Sequence, residues 1–190
     1  MDIIFWLIVG FVVIIILAIV AQIISTYNRL IKLRMDVDRQ LSHVQVHLKK
    51  KFDMIPALTE CVKGYAKHES GTFTEVARLR SQWGEAKTVE AKVKTANQLE
   101  GMLSKILLIQ ERYPKLKANK TFQSIMQSIS KVENELTLER KVYNKRVSWY
   151  NVQIQQFPSS LIARMFGFKE RSFYSRGSKE GAEARENPLE

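Results

Sequence analysis

Cysteine is almost missing from this chain: Cys61 stands alone, which excludes an intramolecular disulfide framework and a Cys-rich zinc site. Eight Gly and four Pro in 190 residues exclude collagen-like and Pro/Gly linker architectures. Charge is absent altogether from residues 3–24, and no Lys or Arg precedes them. The chain also lacks a Gly-rich phosphate loop, a nucleophile elbow, a Cys pair and a carboxylate pair at metal spacing. Enzymatic activity is therefore not expected, nor is a metal, a cofactor or a small-molecule substrate. Apolar residues make up 45% of the chain, too many for a disorder signature. What remains is a membrane-attached globular protein.

Ile3–Ile24 is a run of Ile, Val, Leu, Phe and Ala with one Trp, one Gly and one Gln. At about 1.5 Å per residue it reaches roughly 33 Å, enough to cross a bilayer core of about 30 Å. A cleaved signal peptide would need a basic start and a shorter apolar run, whereas only Asp2 stands before this one. Arg29, Lys32 and Arg34 follow within ten residues of the run. Positive residues stay on the cytoplasmic side, so the N-terminus is expected outside and residues 25–190 in the cytoplasm of a single-pass inner-membrane protein. Those residues carry 30 basic against 18 acidic side chains, a net +12.

Beyond the span the apolar residues fall into helical stripes. Leu30, Leu33, Val37, Leu41, Val44, Leu48, Phe52, Ile55, Leu58, Val62 and Tyr65 are spaced by threes and fours. Pro56 sits inside that stripe, where it either kinks the helix or divides it. A second stripe runs from Phe73 to Gln110 and is weak between Trp83 and Val93. A third keeps a seven-residue interval through Phe122, Ile129, Leu136, Tyr143, Tyr150 and Phe157, with its partner row interrupted at Glu139 and Arg140. Thr121 is the expected cap of that third helix. Ser159 or Ser160 is expected to cap a short fourth helix, with Leu161, Ile162, Met165 and Phe166 on one side.

No strand pattern occurs. The expected fold is all-α: an N-terminal transmembrane helix, then a long antiparallel bundle of three long helices plus a short fourth. Expected boundaries are 1–24 for the anchor, 25–168 for a cytoplasmic bundle and 169–190 for a polar, disordered tail. If the three long helices run out, back and out again, Lys115, Lys117 and Lys120 join Arg29, Lys32 and Arg34 as a lipid-proximal group. Tyr65, Lys67, His68, Glu69, Phe157, Phe166 and Phe168 then meet at the far tip. That tip reads either as a cap on the core or as a docking surface for a partner or a second copy.

Other constellations have plain structural readings. His43 and His47 share a helix face but lack a third ligand, so they read as semi-exposed surface. Lys67-His68-Glu69 fits a helix terminus, a binding surface or, least readily, acid/base chemistry. Cys61 reads as a small core residue beside Val62. Lys49-Lys50-Lys51 reads as a solvated face, because nucleic-acid binding would need free aromatics and Phe52 belongs to the core stripe. The expected partners are the lipid bilayer and a protein or a second copy, not nucleic acid.

Several stretches resemble the LemA family of bacterial membrane proteins. They are Tyr27-Asn28-Arg29-Leu30, Ile55-Pro56-Ala57-Leu58, Val62 to Glu69, Tyr113 to Asn119, Phe157 to Ala163 and Phe166-Gly167-Phe168. Ser160 stands where that family usually has Asn, and Ser70-Gly71-Thr72 replaces a more acidic helix start. The resemblance implies one N-terminal span, a cytoplasmic bundle of long helices and an unsettled function with no established catalytic residue. It also implies an alternative role, as an adaptor or regulator of a membrane-bound zinc protease.

Overall fold

A computed structural model describes residues 2–65 and 70–174. Among them every regular element is a helix, as the stripes predict, and α1 (Asp2–Asp53) opens the chain with the apolar run. The described residues form two compact units, one built from 2–40 and 145–173, the other from 41–65, 70–144 and Tyr174.

In the first unit, the apolar residues of 3–24 are exposed except for the half-buried Val9 and Ile23, whereas Leu30 and Val37, on the same helix, are buried. This is the one helix among the described residues long and apolar enough to cross a membrane. The last turns of α6 (Lys120–Gln155) run antiparallel to α1, with Arg146 3.8 Å from Asp36. Burial of Val147, Tyr150 and Ile154 holds them together. The seven-residue row fails at its last member: α6 stops at Gln155 and Phe157 is 81% exposed. A cis peptide joins Phe157 to Pro158, and α7 (Ser159–Met165) follows.

Neither Ser159 nor Ser160 caps α7; Pro158 occupies the cap position and the Ser159 hydroxyl donates back to the Gln156 carbonyl at 3.0 Å. The four apolar residues expected on one side of α7 divide. Ile162 and Ala163 turn inward, while Leu161, Met165 and Phe166 face out. Gly167, at φ +69°, ends the helix. Its amide donates to the Arg164 carbonyl and that of Phe168 to the Ala163 carbonyl, the paired bonds of a Schellman turn.

In the second unit, Pro56 divides the helix rather than bending it. It has no N–H for the Phe52 carbonyl, so α1 ends at Asp53 and α2 (Ile55–Lys63) starts after Met54. Proline then lies in the first turn, where a missing donor costs nothing. The second stripe is two helices, α3 (Ser70–Glu85) and α4 (Val89–Arg112), packed on each other. The weak region from Trp83 to Val93 has no apolar face to sustain a continuous helix. Thr88 adopts an extended ψ of 154° and its hydroxyl accepts from the Ala91 amide at 3.2 Å, restarting the chain as an N-cap. The Trp83 ring meets Phe52 edge-on at 5.1 Å and fixes the end of α3 against α1.

That hairpin adds a chain reversal that the stripes did not predict. α5 (Pro114–Lys117) and the residues after it return to α2, and α6 leads away. Asn119, not Thr121, caps α6: its side-chain oxygen accepts from the Phe122 amide at 3.0 Å.

Residues 169–174 of the expected tail lie among the described residues. Arg171 and Phe173 are half-buried and Tyr174 is buried, each within its own unit. Residues 175–190 of that tail, and Lys67, His68 and Glu69, lie outside the described residues.

Candidate functional site

Extended backbone offers its N–H and C=O groups to whatever polar side chains lie alongside, and α6 supplies asparagines. In the first unit Asn151 donates to the Arg171 carbonyl at 3.0 Å and accepts from the Arg171 amide at 2.9 Å. The Tyr150 hydroxyl donates to the Lys169 carbonyl at 3.0 Å, and the Arg171 guanidinium reaches Asp38 at 2.9 Å. Burial holds the Tyr150 phenol above its ordinary pKa, against the opposing charges of Arg171 and Arg34. In the second unit Asn144 treats Tyr174 in the same way, donating to its carbonyl at 3.1 Å and accepting from its amide at 2.8 Å.

Tyr174 closes a buried ionic cluster of the second unit. Its ring lies under the Arg140 guanidinium at 4.7 Å, and Arg140 donates to its hydroxyl at 3.3 Å. Arg140 also pairs with Glu100 at 2.6 Å, and Lys51 bridges Glu133 and Glu100. Two cations and two carboxylates balance, as burial of charge requires. Burial works to lower the Arg140 pKa, but the Tyr174 oxygen and Glu100 outweigh it and the net shift is upward. Burial also pushes the Tyr174 phenol up. Beside Lys51, Glu100 and Glu133 a cavity of about 230 Å³ opens, walled by Leu58, Leu103, Met126 and Ile129.

Three sequence readings change here. The interruption of the third stripe at Arg140 is the cluster itself. Lys51 leaves the solvated Lys49–Lys51 face and is buried, while Lys49 and Lys50 stay exposed. Cys61 is half-buried and donates to the Asn119 side-chain oxygen at 3.7 Å, with burial raising its pKa. His43 is exposed and His47 lies 3.4 Å from Glu135; among the described residues no three His, Cys, Asp or Glu gather as metal ligands.

Each proposed grouping draws on residues of both units. Arg29 and Lys32 are exposed, and Arg34 lies over the Phe168 ring at 5.4 Å, all in the first unit. Lys115, Lys117 and Lys120 are exposed on the turn of the second unit where the Asn119 amide donates to the Tyr65 hydroxyl at 3.0 Å. The tip divides likewise. Tyr65 stays with Asn119, whereas Phe166 and Phe168 lie against Tyr27, ring centroids 4.7 and 5.8 Å apart. Sequence reasoning missed Asn119, Asn144, Asn151, Glu100 and Tyr174; the seven-residue spacing of Asn144 and Asn151 beside an apolar row was the available signal.

A helical bundle tied by internal ion pairs and asparagine clamps, led by one long apolar helix, defines an all-α protein with a candidate N-terminal membrane anchor. The LemA family pattern matches residues 40–188, and the chain belongs to the LemA family. It is similar to the magnetosome protein MamQ 2 of Paramagnetospirillum magneticum, 21% identical over 84% of this chain and 68% of that protein. Magnetosome protein MamQ of Magnetospirillum gryphiswaldense is 20% identical over 83% and 67%. Protein LemA of Metamycoplasma hominis is 22% identical over 72% and 63%.

Proposed function

We propose that this LemA-type protein is a single-pass membrane protein that presents its helical bundle in the cytoplasm as a non-catalytic surface for a second copy or a partner protein. The continuity of α1 carries the reading. From Ile3 through the buried Leu30 and Val37 the helix has no break, so the anchor joins the bundle without a flexible linker. The charged groups of the interior hold helices to one another, as a rigid scaffold requires. Orientation rests on Arg29, Lys32 and Arg34 just after the span and no Lys or Arg before it.

The test is cross-linking in native membranes, followed by purification of the full chain and mass spectrometry. Cross-linked multimers of the bait, or one stoichiometric partner, are expected. Recovery of a membrane-bound zinc protease at that stoichiometry would specify the partner as the adaptor reading has it. A bait that is monomeric and alone under all conditions overturns the proposal.

A further inference from the structure

The residues around α7 leave an apolar surface uncovered. Phe157 is 81% exposed, Met165 72%, Leu161 54% and Phe166 51%. A monomeric soluble protein seldom leaves such residues contiguous, and a patch of this kind marks a contact surface. Its position within the first unit says what it meets. α6 runs antiparallel to α1, and Arg146 faces Asp36. Nine residues further on, Gln155 is thereby brought about level with Tyr27, which follows Ile24 by three residues. The rings confirm that level, because Phe166 touches Tyr27 at 4.7 Å. Phe157 and α7 therefore sit within about one helical turn of the point where the apolar span ends.

The charges agree. Arg29, Lys32, Arg164 and Lys169 are exposed in this unit, whereas Asp36 and Asp38 are ion-paired and Glu170, bonded to the neutral Gln155, keeps its charge. Asp36 pairs with Arg39 and Arg146, Asp38 with Arg171, and Glu170 accepts from Gln155. Aromatic and long apolar side chains beside a basic excess are the composition of a segment lying in the headgroup region of an anionic bilayer.

We infer that α7 and its flanking phenylalanines are a second, interfacial membrane contact. Phe157, Leu161, Met165 and Phe166 enter the headgroup and upper acyl zone of the bilayer that α1 crosses, and Arg164 and Lys169 lie at the phosphates. The Schellman turn at Gly167 makes this possible by reversing the chain so that Phe166 and Phe168 both rest on Tyr27. The inference rests on residues 3–24 being a span.

The experiment uses the full chain with Cys61→Ser, spin-labelled at one position at a time through Leu161→Cys, Met165→Cys, Met35→Cys or Leu17→Cys. It is reconstituted in phosphatidylcholine vesicles containing phosphatidylglycerol. Oxygen partitions into lipid and a nickel chelate into water, so their relaxation effects report depth. Labels at 161 and 165 are expected to favour oxygen severalfold over the label at 35, and Phe157→Ser is expected to reduce that preference without shifting the melting transition. Labels at 161 and 165 as water-accessible as that at 35, with 17 deep in lipid, overturn the inference and leave the span intact. A water-exposed label at 17 overturns both. Labels at 161 and 165 shielded from oxygen and nickel alike, with spin–spin broadening, mean that a second copy covers the patch, and the inference fails.

Discussion

A charged residue in a helical core is tolerable only with its partner present, and Arg140 shows the consequence. Arg140→Ala takes from the buried Glu100 its closest cation and removes the face on which Tyr174 lies. Breaking a buried pair costs about 3–5 kcal/mol, so the midpoint of chemical denaturation should fall sharply. Arg140→Leu combined with Glu100→Leu removes both charges and should cost clearly less than either change alone. Equal or additive losses would show that the two residues act independently. Tyr174 adds a pH dependence of known sign. The fold holds the phenol proton more tightly than the unfolded chain, whose value is 10.0. The stabilisation is therefore complete below that pH and is lost as pH rises through the higher folded-state value. Ultraviolet titration of the full protein in detergent should show late tyrosine transitions accompanied by loss of stability, and Tyr174→Phe should remove one of them while that of Tyr150, also raised by burial, remains.

At the scale of elements, the apolar stripes gave the helices and most of the core: Leu30, Val44, Phe52, Leu79, Leu99, Leu136 and Tyr150 are buried where their spacing puts them. Periodicity does not count chain reversals. Three residues, Ala86 to Thr88, turn one expected helix into a hairpin. The strap at 169–174 was harder to read: the spacing of Asn144 and Asn151 marks one side of the contact, but they bind backbone, so the strap's own residues carry no pattern. Termini and caps carry testable weight here. Thr88→Ala should cost about 1 kcal/mol, read as a lower melting temperature with helix content unchanged. At Gly167 an added Cβ meets no atom within 4 Å, yet the φ of +69° penalises any other residue. Gly167→Ala should therefore cost about 1–2 kcal/mol through backbone strain alone, and Gly167→Asn less.

For the whole molecule, the question is which side of the membrane the bundle occupies. The charge difference across α1 is one-sided: Asp2 alone on one flank, and Arg29, Lys32 and Arg34 within ten residues of the other. Each cation moved across the bilayer with its flank opposes the inside-positive bias, and the basic excess after residue 24 reinforces the same direction. A reporter active only in the cytoplasm, fused after Glu190, should therefore work, and one active only outside should not. Placing three Lys before Ile3 and replacing Arg29, Lys32 and Arg34 with Gln should weaken or invert that result, because it transfers the bias to the opposite flank. A wild-type chain that activates only the outside reporter would remove the cytoplasmic bundle from the proposal. The exposed apolar length of α1 would remain, since it depends on composition and not on direction.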